Sequence, residues 1–358
     1  MNKATKTLII LTPGFAKDEN DTTCLPFLQN FIRELNEQFP LLRVVTLAFD
    51  YPFTRTAYSW NGNEVVPFNG WRKRNIRKVF KWISVWLKLK KINRQDDIAG
   101  ILSLWCNECA YLGSRFAKSN RLFHYCWIQG QDAKKGNKYV KRINPSPAEL
   151  ISLSDFTRRE FQQNYGITPR YVIPVGIRPA ELPGERPMKD IDILGVGSLI
   201  PLKQYDLFVE VISGIKQYFP GIKAVLCGKG PQENKLKILI EKLGLQDNIA
   251  LMGELAHIEI LETMNRSRVF LHTSIYEGLG VVCLEALYAS CHVISMVRPM
   301  DHEIEQWHVV QTKEEMGIKL NSLLSDPDTA YNSVLTFTIG DSVQKILQLF
   351  SYNETTNR

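Results

Sequence analysis

No stretch of this 358-residue chain is apolar for long enough to cross a bilayer. The greasy runs, such as Trp82 to Leu87 and Ile98 to Trp105, fall short of the ~20 residues a spanning helix needs. Near the start, Leu8-Ile9-Ile10-Leu11 is stopped by Thr12-Pro13-Gly14, too short for the core of a secretory leader. It reads as the first strand of a cytosolic protein. Cysteine offers no framework either. There are seven, an odd number, scattered through apolar segments, which suits reduced core thiols. Cys106-Asn107-Glu108-Cys109 is a lone C-x-x-C with no second pair to complete a tetrahedral metal set, so it reads as two positions on one helix. Short repeats and low-complexity tracts are missing apart from the polar tail Asn353 to Arg358. What remains, 44% apolar and 23% charged, is a globular composition, and the length allows two domains with a core each.

Acid is missing from residues 71–94, which hold ten Lys or Arg. The rest of the chain has 34 basic residues against 37 acidic ones, so the net charge of +7 is local. Trp71, Phe80, Trp82 and Trp86 interleave with these cations. A solvated helix, a nucleic-acid face and a helix lying on anionic lipid all use such ingredients. Part of the apolar stripe (Ile76, Val79, Phe80, Ile83, Leu87) is expected to face the domain core.

Strand-like and helix-like segments alternate from end to end. In the first half, strands are expected over 7–11, 43–49, 97–104, 122–128, 149–153 and 170–173, and helices over 24–39, 75–91, 106–118 and 155–165. Residues 51–70 read as a loop or small hairpin. After Pro174 the strands fall at 192–197, 223–227, 248–252, 268–272 and 292–296, and the helices at 204–219, 232–243, 258–265 and 280–289. Aliphatic strands alternating with amphipathic helices imply α/β architecture with parallel sheets covered on both faces. Residues 174–189 hold four prolines and little apolar content, which marks a boundary. The expectation is two doubly wound Rossmann-like domains facing across a cleft: an acceptor-side domain at 1–174, a linker at 175–189, a donor-binding domain at 190–335, and a C-terminal helix at 336–352 that crosses back.

The densest chemistry lies in Glu277-Gly278-Leu279-Gly280 followed by Glu285. From Val281 to Ala289 the segment is apolar but for Glu285, the pattern of a helix buried all round. A buried Glu requires a partner, and a ligand hydroxyl fits. Two glycines where that helix begins allow a close backbone approach, and helix N-termini attract phosphate. If the interval were helical throughout, the two carboxylates would stand about 12 Å apart, enough to straddle a diphosphate. Upstream, Gly195-Val196-Gly197-Ser198 leads to Lys203 at the start of a helix, and Cys227-Gly228-Lys229-Gly230-Pro231 makes a tight turn. Together they describe a phosphate-and-ribose surface at one sheet edge.

On these residues the C-terminal half resembles the donor-binding domain of retaining glycosyltransferases of family 4, which have the two-domain GT-B fold. The resemblance rests on Ser274, Glu277, Gly278, Gly280, Glu285, Ala286, Ala289 and Val293-Ile294, with Gly197 to Lys203 and Gly228 to Pro231 in order before them. It runs from about Glu149 to the end. It implies that Glu285 holds the ribose, that Glu277 contacts the transferred sugar, and that Lys203 with the amides of Gly278, Leu279, Gly280 and Val281 holds the diphosphate. Gly14 would approach the same phosphates from the other domain, and the backbone at Met252-Gly253 would meet the base. Ser198 stands where the family usually has Arg, and Gln129, on the acceptor and sugar side, where it usually has His. Ser290 and His292 replace a Gly and a Pro.

The resemblance implies transfer of a sugar from a nucleoside-diphosphate sugar to a hydroxyl acceptor in polysaccharide or lipid-linked glycan synthesis. Glu277 and Lys203 would be catalytic, with no metal and no cofactor beyond the donor. Asp326-Pro327-Asp328 reads as a turn, not a metal motif, and Asp18 to Asp21 as a solvated loop. An acceptor carried on lipid favours an anionic membrane surface as the partner of residues 71–94, on the cytoplasmic face, over nucleic acid. Two other classes remain open: a GT-B epimerase or phosphorylase, and a non-catalytic nucleotide-sugar or polyanion-binding protein.

Overall fold

The computed structural model describes residues 6–70, 76–181 and 187–352, the side chains of Ile76 and Arg77 aside. Trp71 to Asn75 at the head of the basic stretch, residues 182–186 of the expected linker and the polar tail from Asn353 lie outside the described residues. The chain divides into two compact units, Met1–Gly176 with Ile339–Arg358, and Ile177–Thr338.

The first unit runs β1 (Lys6–Gly14), α1 (Pro26–Gln38), β2 (Arg43–Tyr51), β3 (Tyr58–Trp60), β4 (Asn63–Pro67), α2 (Ile76–Gln95), β5 (Asp97–Leu104), α3 (Glu108–Asn120), β6 (His124–Ile128), α4 (Lys138–Ile143), β7 (Leu150–Ser152), α5 (Asp155–Tyr165) and β8 (Tyr171–Val172). Its sheet has the order β3-β4-β2-β1-β5-β6-β7-β8. Every neighbouring pair is parallel except β3 and β4, the small hairpin of the 51–70 stretch. Local signals are orderly. Ser154 caps α5 by accepting from Thr157 N, and Gly166 in the left-handed region ends it.

The second unit runs β9 (Ile191–Val196), α6 (Tyr205–Lys216), β10 (Ala224–Cys227), α7 (Glu233–Lys242), β11 (Ile249–Gly253), α8 (His257–Asn265), β12 (Ser267–His272), α9 (Val281–Tyr288), β13 (His292–Ser295), β14 (Trp307–Val309) and α10 (Lys313–Ser325). Its sheet is wholly parallel in the order β11-β10-β9-β12-β13-β14. Numbered within the unit this is 3-2-1-4-5-6, the Rossmann order. Residues 177–181, read from the sequence as linker, are part of this unit. Ile177 bridges Thr338, and Glu181 Oε2 lies 4.0 Å from His257 Nδ1. The chain then returns to the first unit as α11 (Ile339–Leu349), where Ser342 Oγ donates to Pro174 O and Tyr125 OH to Leu349 O.

Three readings of the first unit need correction. In α2 the side chains turned to the core are Val85, Leu89 and Ile92, with Trp82 and Trp86 beside them, while Val79, Phe80, Ile83 and Leu87 are exposed. Charge decides this register. Lys81 is buried between Asp50 (2.8 Å) and Glu108 (2.6 Å), Lys78 reaches Glu108, and Lys88 reaches Glu64. Asp21 is not solvated: it is buried, accepts from Lys17 N and Tyr51 OH, and ties down the loop after β1. Cys106 lies before α3, not within it. Asn107 caps that helix by accepting from Cys109 N, and both thiols are free and buried.

One buried group sets a pH dependence. His124 of β6 meets Ser103 of β5 (Nε2 to Oγ, 2.9 Å) beneath Gly113 of α3, where a Cβ would lie 2.5 Å from that oxygen. Burial holds the imidazole at about 3, far below the ordinary 6.5. The folded state therefore keeps it neutral, and stability is lost as pH falls from 6.5 toward 3. Each pH unit in that window costs about 1.4 kcal/mol, so acidification to about pH 5 should remove about 2 kcal/mol. Urea titrations across that range, repeated with His124→Gln, check it. The variant should show a shallower loss on acidification, and identical slopes would refute the assignment.

Candidate active site

In a sheet of order 3-2-1-4-5-6 the chain departs in opposite directions after strands 1 and 4, which opens a crevice beyond their carboxyl ends. Those strands are β9 and β12. After β9 the chain passes Gly197 (φ 149°), a conformation L side chains rarely adopt, then exposed Ser198 and a single 3-10 turn, Pro201–Lys203. Gln204, left-handed at φ 49°, separates that turn from α6. Lys203 thus stands in a turn of its own, one residue before the helix whose start the sequence had placed it at. The loop after β12 grips this turn: Thr273 Oγ1 donates to Lys203 O (2.7 Å) and Ser274 Oγ to Leu202 O (3.4 Å).

The grip brings three charged or titratable groups together. Lys203 Nζ lies 2.5 Å from Glu277 Oε2, and His272 Nε2 lies 3.4 Å from the same oxygen. Burial works against the Glu277 carboxylate, yet His272 and Lys203 outweigh it and hold the pKa down to about 2. Burial lowers the pKa of His272, so its ring stays neutral near pH 7. Its Nε2 faces the Glu277 carboxylate across that 3.4 Å. The result is a carboxylate fixed in its ionised form beside one cation.

The glycines upstream pack two loops together. A Cβ on Gly228 would sit 1.9 Å from Gly197 O, and one on Gly230 would sit 2.5 Å from Leu199 O. These two residues let the loops after β9 and β10 lie against each other. Leu199 N donates to Lys229 O, Gly197 N to Cys227 O, and Gly228 N to Gly253 O. Gly228 also has φ 145°. Gly228→Ala should therefore destabilise the protein by roughly 1–3 kcal/mol through overpacking, with a left-handed strain on top. A thermal melt reads this directly, and an unchanged midpoint would show that the loop yields.

Glu277 to Gly280 is loop, and α9 begins only at Val281, so the interval between the carboxylates is not helical. Nor is α9 buried all round. Cys283, Leu284, Ala286 and Leu287 are buried, while Val281, Val282, Glu285 and Tyr288 form a half-buried stripe. Glu285 does not wait for a ligand: its Oε1 lies 2.9 Å from Nε2 of His257, the first residue of α8. Gly280 (φ 74°) turns the chain into α9, whose first internal bond is Cys283 N to Gly280 O. The amides of Val281 and Val282 precede it, as orphan donors at a helix start do. Gly278 and Leu279 are buried, so Leu279 can offer only backbone to a ligand. Met252 is exposed at the end of β11, and Gly253 lies beside it at φ 70°.

Gly14 and Gln129 belong to the first unit. Gly14 ends β1, with Tyr51 Cβ 3.4 Å and Cys24 Sγ 3.5 Å from where its Cβ would be. Gln129 follows β6, and its Nε2 donates to Trp127 O (3.3 Å). Buried Asp132, pushed up to about 6 by burial, fixes that turn by accepting from Gln129 N, Gly130 N and Cys106 N. Asp326 accepts from Asp328 N in an exposed turn after α10. Sequence reading missed His272, His257 and Thr273. Each is a single polar residue at an element end, and only the fold shows what it faces.

Two doubly wound parallel domains, the second with paired Lys203 and Glu277 at its switch point, define the GT-B class. Solved structures bear out the fold: S. aureus TarM, as a variant in complex with UDP, has a TM-score of 0.71 at 12% identity, covering 97% of this chain and all of that one. A glycosyltransferase of Rickettsia africae has a TM-score of 0.72 at 15% identity, covering 97% and 98%. Residues 182–333 match the family model of glycosyl transferases group 1. Among curated relatives, the phosphatidylinositol N-acetylglucosaminyltransferase gpi3 subunit of Schizosaccharomyces pombe is 27% identical over 170 residues, covering 47% of this chain. The corresponding phosphatidylinositol N-acetylglucosaminyltransferase polypeptide of Arabidopsis thaliana is 28% identical over 156 residues, covering 41%. The match spans only 37% and 34% of those relatives' own lengths.

Proposed function

We propose that this protein transfers a sugar, with retention, from a nucleoside-diphosphate sugar to a hydroxyl carried on a lipid-linked glycan or a polysaccharide. The observation that carries the reading is the Lys203–Glu277 pair at 2.5 Å on the switch point of a Rossmann sheet. Breaking the anomeric C–O bond leaves negative charge on the diphosphate and positive charge on the sugar ring. Lys203 and the amides at the start of α9 face the first, and the permanently ionised Glu277 stands ready for the second. Same-face attack, with the departing phosphate taking the acceptor proton, retains the anomeric configuration. The scheme needs no metal. Met252 and Gly253 meet the base, Glu285 the ribose hydroxyls, and Gly14 and Gln129 serve from the first unit.

A lipid-borne acceptor fits the names of the two phosphatidylinositol-directed relatives. It places the protein on the cytoplasmic face of an anionic membrane, with residues 71–94 as the contact. Thermal stabilisation by a panel of nucleoside diphosphates and their sugars tests the donor site, because a ligand of the native state raises stability by mass action. One member should raise the melting point of the wild type. Glu285→Ala should weaken that binding by about 2 kcal/mol, a lost charged hydrogen bond. An unchanged shift in the variant would take Glu285 out of the site.

A further inference from the structure

The exposed face of α2 is a feature that the glycosyl-transfer chemistry leaves unused. Val79, Phe80, Ile83 and Leu87 are 53%, 63%, 50% and 58% exposed. At 100° per residue all four fall on one side of the helix, and Lys90, Lys91 and Arg94 continue that side toward its C-terminal end. These three cations are exposed and form no ion pair among the described residues, unlike Lys78, Lys81 and Lys88 on the inner side. No acid lies on the face. Ser84, at its margin, bonds its own hydroxyl to Phe80 O (2.9 Å), so burial would leave no polar side chain unsatisfied there.

We infer that this face is a docking surface for an anionic lipid bilayer, with the four apolar side chains entering the headgroup boundary and Lys90, Lys91 and Arg94 meeting lipid phosphates. This deepens the membrane part of the function proposed above and narrows residues 71–94 to one face of α2. The helix stays in place while it docks, because Val85, Leu89 and Ile92 and three buried or half-buried ion pairs hold its other side. The occupant follows from shape and charge. In a two-fold pair of copies the same patch meets itself, which would bring six cations into the interface with no acid to offset them. A partner helix docks into a groove, whereas this face is a convex ridge. Apolar residues followed by cations on one ridge suit a negatively charged plane.

Flotation with vesicles tests it. The full chain should float with phosphatidylcholine vesicles containing phosphatidylglycerol and stay behind with phosphatidylcholine alone. Each of the three cations should contribute about fivefold to the partition, so replacing Lys90, Lys91 and Arg94 together by Gln should lower it about a hundredfold. Phe80→Ser with Ile83→Ser should also abolish flotation with the phosphatidylglycerol vesicles, because the cations alone hold the chain too weakly. No wild-type flotation, or both variants floating like the wild type, would overturn the inference. So would self-association of the wild type that Phe80→Ser abolishes, since it would assign the face to a second copy. Nucleoside-diphosphate stabilisation, measured in the same samples, reports the donor site, to which α2 contributes no residue. Intact stabilisation without flotation sinks this inference and leaves the donor site standing.

Discussion

Glu277→Ala should lower glycosyl transfer on the order of a hundredfold or more while nucleoside-diphosphate affinity changes little. The asymmetry follows from what the carboxylate faces. It lies 2.5 Å from Lys203 and 3.4 Å from His272, and its charge is fixed because its pKa is held to about 2. Such a group cannot exchange a proton at working pH, so its contribution is a standing negative charge that matters most when the sugar ring turns positive. Two consequences separate this role from a structural one. Glu277→Gln keeps the volume but loses the charge, so it should be nearly as poor as the alanine variant in kcat with KM almost unmoved. The pH–rate profile of the wild type should show no limb that vanishes in either variant. Transfer assays with the donor that stabilises the protein, run on all three proteins, measure both. Equal rates in wild type and Glu277→Ala would remove the catalytic reading altogether.

Much of the second unit was legible before any coordinates. Its aliphatic strands and amphipathic helices gave parallel α/β layers, and the segment from Glu277 to Glu285 marked the loop where the chain leaves the fourth strand. Periodicity works there because each strand is covered on both faces. It failed in α2, where the apolar residues at 79, 80, 83 and 87 share a face as regular as that of 85, 89 and 92. Sequence cannot rank two such faces. Asp50 and Glu108 rank them by claiming Lys81, a contact set by tertiary structure. The partner of Glu285 was hidden for the same reason. His257 is 28 residues away and reaches it only because α8 starts beside α9. Gly228 and Gly230 were legible as a tight turn, but their tight fit against Gly197 O and Leu199 O was not, because a strand-end glycine looks the same whatever it makes room for.

Lys203→Ala should cost about 3 kcal/mol of transition-state stabilisation, a hundredfold or more in kcat/KM, by two routes at once. In the proposed reaction the first is loss of the cation set against the diphosphate, and Ser198 just upstream brings no second cation to replace it. The second acts through Glu277. Burial raises that carboxyl group, and Lys203 is one of the two partners that overcome it. Without the lysine the pKa of Glu277 must move upward, toward a protonated acid of little use to a cationic ring. A new acidic limb in the pH–rate profile, present in Lys203→Ala and missing from the wild type, would report that coupling. The double variant Lys203→Ala with Glu277→Ala should then be scarcely slower than the worse single variant, because the pair acts as a unit. Losses that instead multiply, with no acidic limb, would mean that the two side chains act on the donor separately despite their contact.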